Sequence, residues 1–176
     1  WTTTPWTLPA NQAVAYSTDI AYIAIRLDEH VYILAEKLLD RCLQAWGKVA
    51  EDIVEQVRVS TQQLEQLEWL YHPLYSRTVP LITADHVTDE SGTGFVHIAP
   101  DHGPEDFLVG KKYNLITLDL VDEYGRFRQG VPLLAGKNLI DAQKIIIEKL
   151  QDDQHLLACE DYTHSYPNCW RHKKPV

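Results

Sequence analysis

The sequence predicts an α+β fold, a compact β-barrel-like domain with a few peripheral helices. Two observations predict this class. Short runs rich in Val, Ile and Tyr recur along the chain, and three modest stretches carry helix signals. The 176 residues, 45% of them hydrophobic, are enough for one domain with its own core. We therefore expect a single domain over residues 1–176.

The predicted strands are short and fall in the first hundred residues. Asp19 separates the first two runs, and the turn at Asp28 and Glu29 leads into the third. The fourth run alternates apolar with polar residues, and the last is apolar enough for a buried strand. The polar stretch 62–69 is ambiguous. The predicted strands are 12–17, 20–27, 30–34, 53–59, 79–84 and 95–99.

Three helices are predicted from spacing and end signals. Leucines recur at helical spacing in the first, and Gly47 follows it as a C-cap. Pro104 suits the first position of the second helix, and Asn138 can cap the third. The predicted helices are 35–46, 104–113 and 139–151. The predicted buried side of the third helix is Ile140, Ile145, Ile146 and Leu150.

Composition and charge exclude several classes of protein. A formal net charge of −9 disfavours broad nucleic-acid binding, because an acidic chain repels phosphates, although a local pocket could hold a short single-stranded end. No run approaches the roughly 20 apolar residues of a membrane span, so we expect no membrane partner. Three scattered cysteines make a disulfide framework improbable and favour a reducing, cytoplasmic setting.

Both ends of the chain lie inside dense, distinctive segments, and the sequence contains no methionine. Residues 1–7 open the chain on a threonine-rich motif, and residues 166–174 form another dense run just before the other end. We interpret the chain as a domain excised from a longer polypeptide.

Four threonine hydroxyls lie within six residues at the start of the chain. Pro5 and two tryptophans brace this cluster, which suits a polar, uncharged ligand such as a ribose or an adenine edge. The alternative is a β-strand in which threonines favour extended backbone and the tryptophans enter the core. The hydroxyls belong to Thr2, Thr3, Thr4 and Thr7.

Residues 92–106 combine glycines, a predicted strand and the start of a predicted helix. Asp106 falls in the first helical turn, where a carboxylate stabilises the helix dipole by about 0.3–1 kcal/mol without any further role. His97 could equally be a half-buried strand residue bonded to backbone. A metal site of His97, His102 and Asp106 is a third alternative. The glycine spacing does not match a phosphate-binding loop.

These segments resemble the connective-peptide editing domain in the Val/Ile/Leu class of aminoacyl-tRNA synthetases. Residues 1–9 resemble its threonine-rich peptide, residues 92–106 its second motif, and residues 166–175 the segment that rejoins the synthesis domain. The isoleucyl member fits best, because His stands at position 97 and His102 precedes a glycine. The valyl form has Lys and His-Asp there, and the leucyl form has a different first residue and His-Asp.

The resemblance implies a deacylase that removes valine from isoleucine tRNA. Isoleucine differs from valine by one methylene, which changes the binding free energy in a hydrophobic pocket by only about 1–3 kcal/mol; isoleucyl enzymes are themselves the standard example. A second, smaller site must therefore hydrolyse the wrongly attached valine. By similarity, Asp106 pairs with the α-ammonium and His97 walls off isoleucine. The residues implied to line the adenosine and ester site are Thr2, Thr3, Thr4 and Thr7, with Trp6 beside them. Asp106, Thr3 and Thr4 are the catalytic candidates.

The same resemblance fixes the expected partners and cofactors. The partners are the aminoacylated 3′ end of isoleucine tRNA, its valine moiety and the remainder of the synthetase chain. Editing needs no cofactor, since ATP and Mg serve the synthesis domain, whose His-Ile-Gly-His and Lys-Met-Ser-Lys-Ser motifs are absent. Cys169 and His172 have the spacing of half a zinc site, but a single pair cannot complete a tetrahedron. At position 172 many isoleucyl enzymes carry a Cys that helps bind zinc, and this chain carries His instead, so no metal is expected. A non-catalytic module that binds the tRNA end is the alternative function.

Overall fold

The computed structural model describes residues 1–161, 170 and 171, and it has an α+β architecture. A 3₁₀ helix, Pro5–Ala10, precedes the first strand, and two shorter 3₁₀ turns lie at Glu36–Leu38 and Ala50–Asp52. The strands are β1 Ala13–Tyr16, β2 Tyr22–Leu27, β3 His30–Ala35, β4 Ile53–Val59, β5 Trp69–Tyr71, β6 Thr78–Thr83 and β7 Val96–Ile98. The α-helices are α1 Leu39–Ala45, α2 Thr61–Glu65, α3 Pro104–Tyr113 and α4 Leu139–Asp152.

Two separate sheets contain the strands of the described residues. One has four strands in the order β5-β6-β1-β7, and the other has three in the order β3-β2-β4. β1 runs parallel to β6 and antiparallel to β7, and the remaining pairs are antiparallel. The predicted α+β class is thus confirmed. The barrel-like closure is not, because no ladder between the two sheets closes them into one ring within the described residues.

Within the described residues, the hydrophobic core consists of three clusters. The second cluster, at the four-stranded sheet, is formed by Ala13, Ala15, Ile82, Ala84, Val87 and Ile98. Ala13 and Ala15 of β1 and Ile98 of β7 are completely buried in it. Val109 and Tyr113 on one face of α3 pack against this cluster. The small alanine side chains leave room for α3 to pack against the four-stranded sheet.

Helix α3 also approaches the loop after β7 through a glycine. A Cβ atom added at Gly110 would lie 2.9 Å from the side chain of Pro100, closer than packed carbon atoms approach. Gly110 therefore lets the helix backbone pack directly against the loop. The first turn of α3 is held at the end of β7 as a result.

The predicted elements agree with the structure in most places. All six predicted strands and all three predicted helices have counterparts, and Asn138 caps α4 by accepting a hydrogen bond from the Asp141 amide at 2.9 Å. Gly47 follows α1 with a φ of +66°, as expected of a C-cap glycine. The ambiguous stretch 62–69 covers most of α2 and the first residue of β5. The predicted helix 35–46 begins only at Leu39, because Ala35 belongs to β3 and Glu36–Leu38 forms a 3₁₀ turn.

The buried face of α4 differs from the predicted one. Ile146 and Leu150 are buried as predicted and Ile145 is partly buried, but Ile140 is 75% exposed. Ala142 takes its place, because it precedes Ile146 by four residues and so lies on the same helix face. Ile140 lies two residues earlier and points away from the core. The prediction for Ile140 was wrong, because apolarity alone does not determine the phase of a helix.

None of the helices in the described part of the chain is long and apolar enough to cross a membrane.

We expect Ile146→Ala to lower the free energy of unfolding by about 2–5 kcal/mol, because it opens a cavity in the cluster that Ile146 forms with Phe127, Leu134 and other buried residues. Ile140→Ala is the matched control, and its effect should stay within about 0.5 kcal/mol because the side chain is exposed. Urea unfolding of both variants measures the difference. Equal losses would contradict the assigned helix phase.

Candidate functional site

The threonine-rich peptide, residues 1–9, contains no strand, and its second half forms most of the 3₁₀ helix Pro5–Ala10. Pro5 is its first residue, where the fixed φ of proline suits a helix start and its missing N–H is not needed. The Thr7 amide donates to the Thr4 carbonyl at 3.0 Å, and the Thr4 amide donates to the Thr2 hydroxyl at 3.0 Å. The alternative interpretation of this segment as a β-strand is therefore wrong.

The four threonines have different surroundings. Thr7 is buried, and its hydroxyl donates to the Thr4 carbonyl at 2.8 Å. Thr2 and Thr4 are half-buried and Thr3 is exposed. Within the described residues, the hydroxyls of Thr3 and Thr4 have no hydrogen-bond partner. These two hydroxyls are therefore available to a ligand, whereas Thr7 is committed to the protein.

His97 is hydrogen-bonded at both ring nitrogens. Its Nε2 lies 2.9 Å from the Thr7 hydroxyl, and its Nδ1 lies 3.3 Å from the Asn11 side-chain nitrogen. Because Thr7 already donates its hydrogen to Thr4, it must accept one from Nε2–H, and Nδ1 then accepts from the Asn11 amide. Burial, followed by nearby positive charges, lowers the pKa of His97 to about 3. The imidazole is neutral, with a fixed tautomer and a fixed orientation.

Asn11 is the residue of this network that the sequence did not reveal. It is 2% exposed, and its side-chain nitrogen also donates to the Ala13 carbonyl at 2.8 Å. That second bond fixes which end of the amide faces His97. The available signal was a polar residue between the buried Ala10 and Ala13, at the start of a predicted strand. A buried amide in such a place must find hydrogen-bond partners.

A second histidine, His72, holds the threonine-rich peptide in place. His72 is 4% exposed, and its Nδ1 accepts the amides of Leu74 and Tyr75 at 3.0 and 3.2 Å. Its Nε2–H therefore donates to the Leu8 carbonyl, 3.0 Å away. Burial, followed by the charge of Arg77, lowers the pKa of His72 to about 4. The loop after β5 thus ties down the C-terminal half of the 3₁₀ helix.

Asp106 lies in the first turn of α3 with its carboxylate turned back toward β7. Its Oδ2 accepts the Ala99 amide at 2.8 Å, and 20% of its side chain remains exposed. Burial raises the pKa of Asp106, while the Ala99 amide lowers it. The helix-dipole role is compatible with this position. Beyond that role, the carboxylate is held by a specific bond and keeps access to solvent.

The structure brings the predicted site residues to one region of the surface. Thr7 contacts His97 directly, and the Trp6 ring meets His102 edge-on at 5.0 Å between centroids. The peptide therefore lies against both β7 and the loop that leads to α3. Asp106 does not contact the threonines, but it binds Ala99, which lies two residues after His97. We call the surface formed by the threonine-rich peptide, His97 and Asp106 the candidate site.

The alternative of a metal site is not supported by the geometry. His97, His102 and Asp106 all belong to the described residues, and they do not form a group that could hold a metal ion. Both nitrogens of His97 are already engaged. The predictions for Cys169 and His172 lie outside the described residues.

No family model matches the chain. Comparison with curated proteins finds isoleucine–tRNA ligases: the chain is 44% identical to that of Haemophilus influenzae (strain 86-028NP) and 46% identical to that of Teredinibacter turnerae, each over 176 residues. Both alignments cover all of this chain and 18% of the relative. The chain is homologous to a segment of isoleucine–tRNA ligase. The isoleucyl resemblance is thereby confirmed, although the homologous segment is less than a fifth of the relatives' length.

A solved structure described as the crystal structure of GlLeuRS-CP1 shares the fold. It superimposes with a TM-score of 0.67 and covers 91% of this chain and 82% of its own, at 16% sequence identity. At this identity the likeness concerns the fold alone. The open arrangement of two sheets and few helices is thus a fold that another protein adopts with a very different sequence.

Protonation of His72 should destabilise the protein as the pH falls. Its pKa is 6.5 when unfolded and about 4 when folded, so its contribution is complete above pH 6.5 and is lost between pH 6.5 and 4. We expect this loss to be about 3 kcal/mol in urea unfolding. His72→Gln should flatten the pH dependence, whereas substitution of the exposed His30 by Gln should leave it unchanged. An unaltered slope in His72→Gln would contradict the assignment.

Proposed function

We propose that the chain is an editing module that hydrolyses the ester of valyl-tRNA(Ile) and spares isoleucyl-tRNA(Ile). The observation that carries this proposal is the hydrogen-bond chain from Asn11 through His97 and Thr7 to the Thr4 carbonyl. It lies in a chain homologous to part of an enzyme named for isoleucine. Editing after transfer to tRNA is the main reaction proposed, and editing of the adenylate is the second.

Selection by size requires a wall that does not move. Valine lacks one methylene of isoleucine, so a pocket that admits valine rejects isoleucine only if its wall cannot retreat by that width. Because both ring nitrogens of His97 are bonded, the imidazole cannot rotate without breaking two hydrogen bonds. His97 is therefore suited to exclude the larger side chain. Since it is neutral, an apolar substituent can lie against it without desolvating a charge.

Asp106 supplies the charge that the substrate's α-ammonium needs. One carboxylate oxygen is bound to the Ala99 amide, which leaves Oδ1 and the remaining lone pairs free. The side chain is mostly buried, so an ammonium beside it is attracted more strongly than it would be in water. Asp106 would therefore hold the amino end of valine in place.

The chemistry we propose is direct attack by water. His97 is a poor general base, because its lone pair is engaged by Asn11 and its pKa is about 3. Cys42 is buried and donates to the Gly92 carbonyl, and burial raises its pKa, so it is a poor nucleophile. The hydroxyls of Thr3 and Thr4 would orient the water and the ester.

In this step the water oxygen bonds to the carbonyl carbon and the bond to the ribose oxygen breaks. The ribose oxygen takes up a proton, and a neighbouring ribose hydroxyl can assist that transfer. Thr2, Thr7 and Trp6 would border the terminal adenosine. The reaction uses no metal or cofactor, and its partners are the aminoacylated tRNA end and the remainder of the synthetase.

A graft tests the proposal. This chain would replace the corresponding segment of the Haemophilus influenzae enzyme, and the release of valine from valyl-tRNA(Ile) would be measured in a single turnover. Release of valine with retention of isoleucine supports editing. If the graft binds the tRNA end but releases neither amino acid, the chain is the alternative non-catalytic module.

Asp106→Ala should abolish deacylation and leave the fold intact. The change removes a helix-start carboxylate, which is worth about 1 kcal/mol. It also leaves the Ala99 amide unpaired, at a further cost of about 1–3 kcal/mol, whereas the ammonium loses its anchor entirely. The neighbouring exposed Glu105→Ala is the control and should retain the wild-type rate. A folded Asp106→Ala protein with near-normal deacylation would exclude the ammonium role.

His97→Ala should enlarge the pocket and let isoleucyl-tRNA(Ile) be hydrolysed. The quantity to measure is the ratio of isoleucine to valine released under identical conditions. We expect this ratio to rise by about tenfold or more, because one methylene of discrimination is worth that much in an apolar pocket. An unchanged ratio would show that His97 does not form the wall.

The threonines should divide into two groups by phenotype. Thr3→Ala and Thr4→Ala should each slow deacylation several-fold to about a hundredfold without changing selectivity, and the pair should be worse. Thr7→Val should instead weaken selectivity, since it removes the hydroxyl that holds His97. Single-turnover rates with both aminoacyl-tRNAs separate the groups. Full activity of the Thr3/Thr4 pair variant would exclude a role of these hydroxyls.

A further inference from the structure

His86 lies in the loop after β6 and turns its Nε2 toward Asp106. The flanking residues Ala84 and Val87 are buried in the same cluster as Ile98 of β7, so the loop is fixed beneath the candidate site. The Nε2 atom is buried and has no hydrogen-bond partner among the described residues. Its nearest charged neighbour is Oδ1 of Asp106, 3.9 Å away.

A buried ring nitrogen without a partner is unfavourable for folding alone. The folded state carries this cost, and the surroundings of the nitrogen indicate what it can act on. Here the nitrogen faces the one carboxylate oxygen of Asp106 that the Ala99 amide does not hold. The nitrogen without a partner and the carboxylate held at only one oxygen therefore face each other across 3.9 Å.

We infer that His86 is a positioning residue for Asp106, and that it fixes the carboxylate plane in which the substrate's α-ammonium is received. The inference rests on the proposed function. The last torsion of an aspartate is soft, so a carboxylate held at one oxygen can still rotate. The dipole or charge of His86 at the second oxygen restrains that rotation. An ammonium then meets an oriented carboxylate, and less entropy is lost when it binds.

The surroundings of Asp106 show why the effect of His86 can be measured. Burial raises the pKa of Asp106, the Ala99 amide and then His86 lower it, and Glu105 raises it. These are the groups that act on the carboxylate from β7, the loop after β6 and α3. Removal of His86 takes away a lowering contribution, so the pKa of Asp106 rises. Only the ionised carboxylate attracts the ammonium. As the pH is lowered, binding of the ammonium is therefore lost at a higher pH in the variant than in the wild type.

The test uses the grafted enzyme with two substrates, valyl-tRNA(Ile) and its analogue in which a hydroxyl replaces the α-ammonium. The variants are His86→Leu, His86→Gln, Asp106→Asn and the His86→Leu/Asp106→Asn double variant. The exposed neighbour Asp85→Asn is the control. A purely structural His86 would affect both substrates equally, whereas a residue acting through Asp106 affects only the substrate that carries the ammonium.

We expect His86→Leu to fold at least as stably as the wild type and to reduce kcat/KM for valyl-tRNA(Ile) by about fivefold, the scale of a loose contact between an ionisable side chain and a carboxylate. Hydrolysis of the hydroxy analogue should not change, and His86→Gln should recover part of the loss. In the Asp106→Asn background, His86→Leu should have no further effect. The acid limb of the pH profile for valyl-tRNA(Ile) should move to higher pH.

Equal losses on both substrates, additive losses in the double variant, or an unchanged valyl rate would each overturn the inference. In these cases the wild-type graft is active, so the proposed function survives. A wild-type graft that hydrolyses neither substrate would refute the proposed function instead. The Asp106 carboxyl titration, followed by NMR in this chain, is a readout independent of hydrolysis. A titration midpoint that does not rise in His86→Leu also overturns the inference.

Discussion

The imidazole of His97 is hydrogen-bonded on both sides, by the Thr7 hydroxyl and by the Asn11 amide. Each of these partners is itself fixed, Thr7 by the Thr4 carbonyl and Asn11 by the Ala13 carbonyl. The chain of bonds joins the 3₁₀ helix, β1 and β7 into one unit. The neutral state of His97 follows from its burial and lets the ring act as an apolar surface with a fixed outline.

The sheet beneath this network provides the rigidity that a loop could not. β1 lies between β6 and β7, and its buried alanines bring the neighbouring elements close together. Asp106 benefits from the same packing, because Gly110 allows α3 to press against the loop after β7. His97 and Asp106, which we propose as the wall and the charged anchor, thus belong to different elements, but one core cluster supports both. Precision within an ångström is the property that recognition of one methylene demands.

The sequence predicted most of the elements, but not the way in which the side chains of the candidate site are held. Strand periodicity and cap residues such as Asn138 are local signals, and the structure follows them. Helix phase is set by tertiary packing, which explains the wrong prediction for Ile140. The partners Asn11, His72 and His86 act across long stretches of chain. Local patterns mark such residues poorly, because their role is defined only once distant segments meet.

The pairing of β1 also determines when the site can form. Val14 pairs with Leu81 on one side and with His97 on the other, and both follow it far along the chain. Contacts between such distant residues form slowly, because the intervening chain must lose its freedom first. During synthesis on the ribosome, the threonine-rich peptide emerges before His97 and cannot contact it until that part of the chain has been made. A product terminated before residue 97 therefore carries the peptide without the histidine that orders it, so the candidate site arises in one late step of folding.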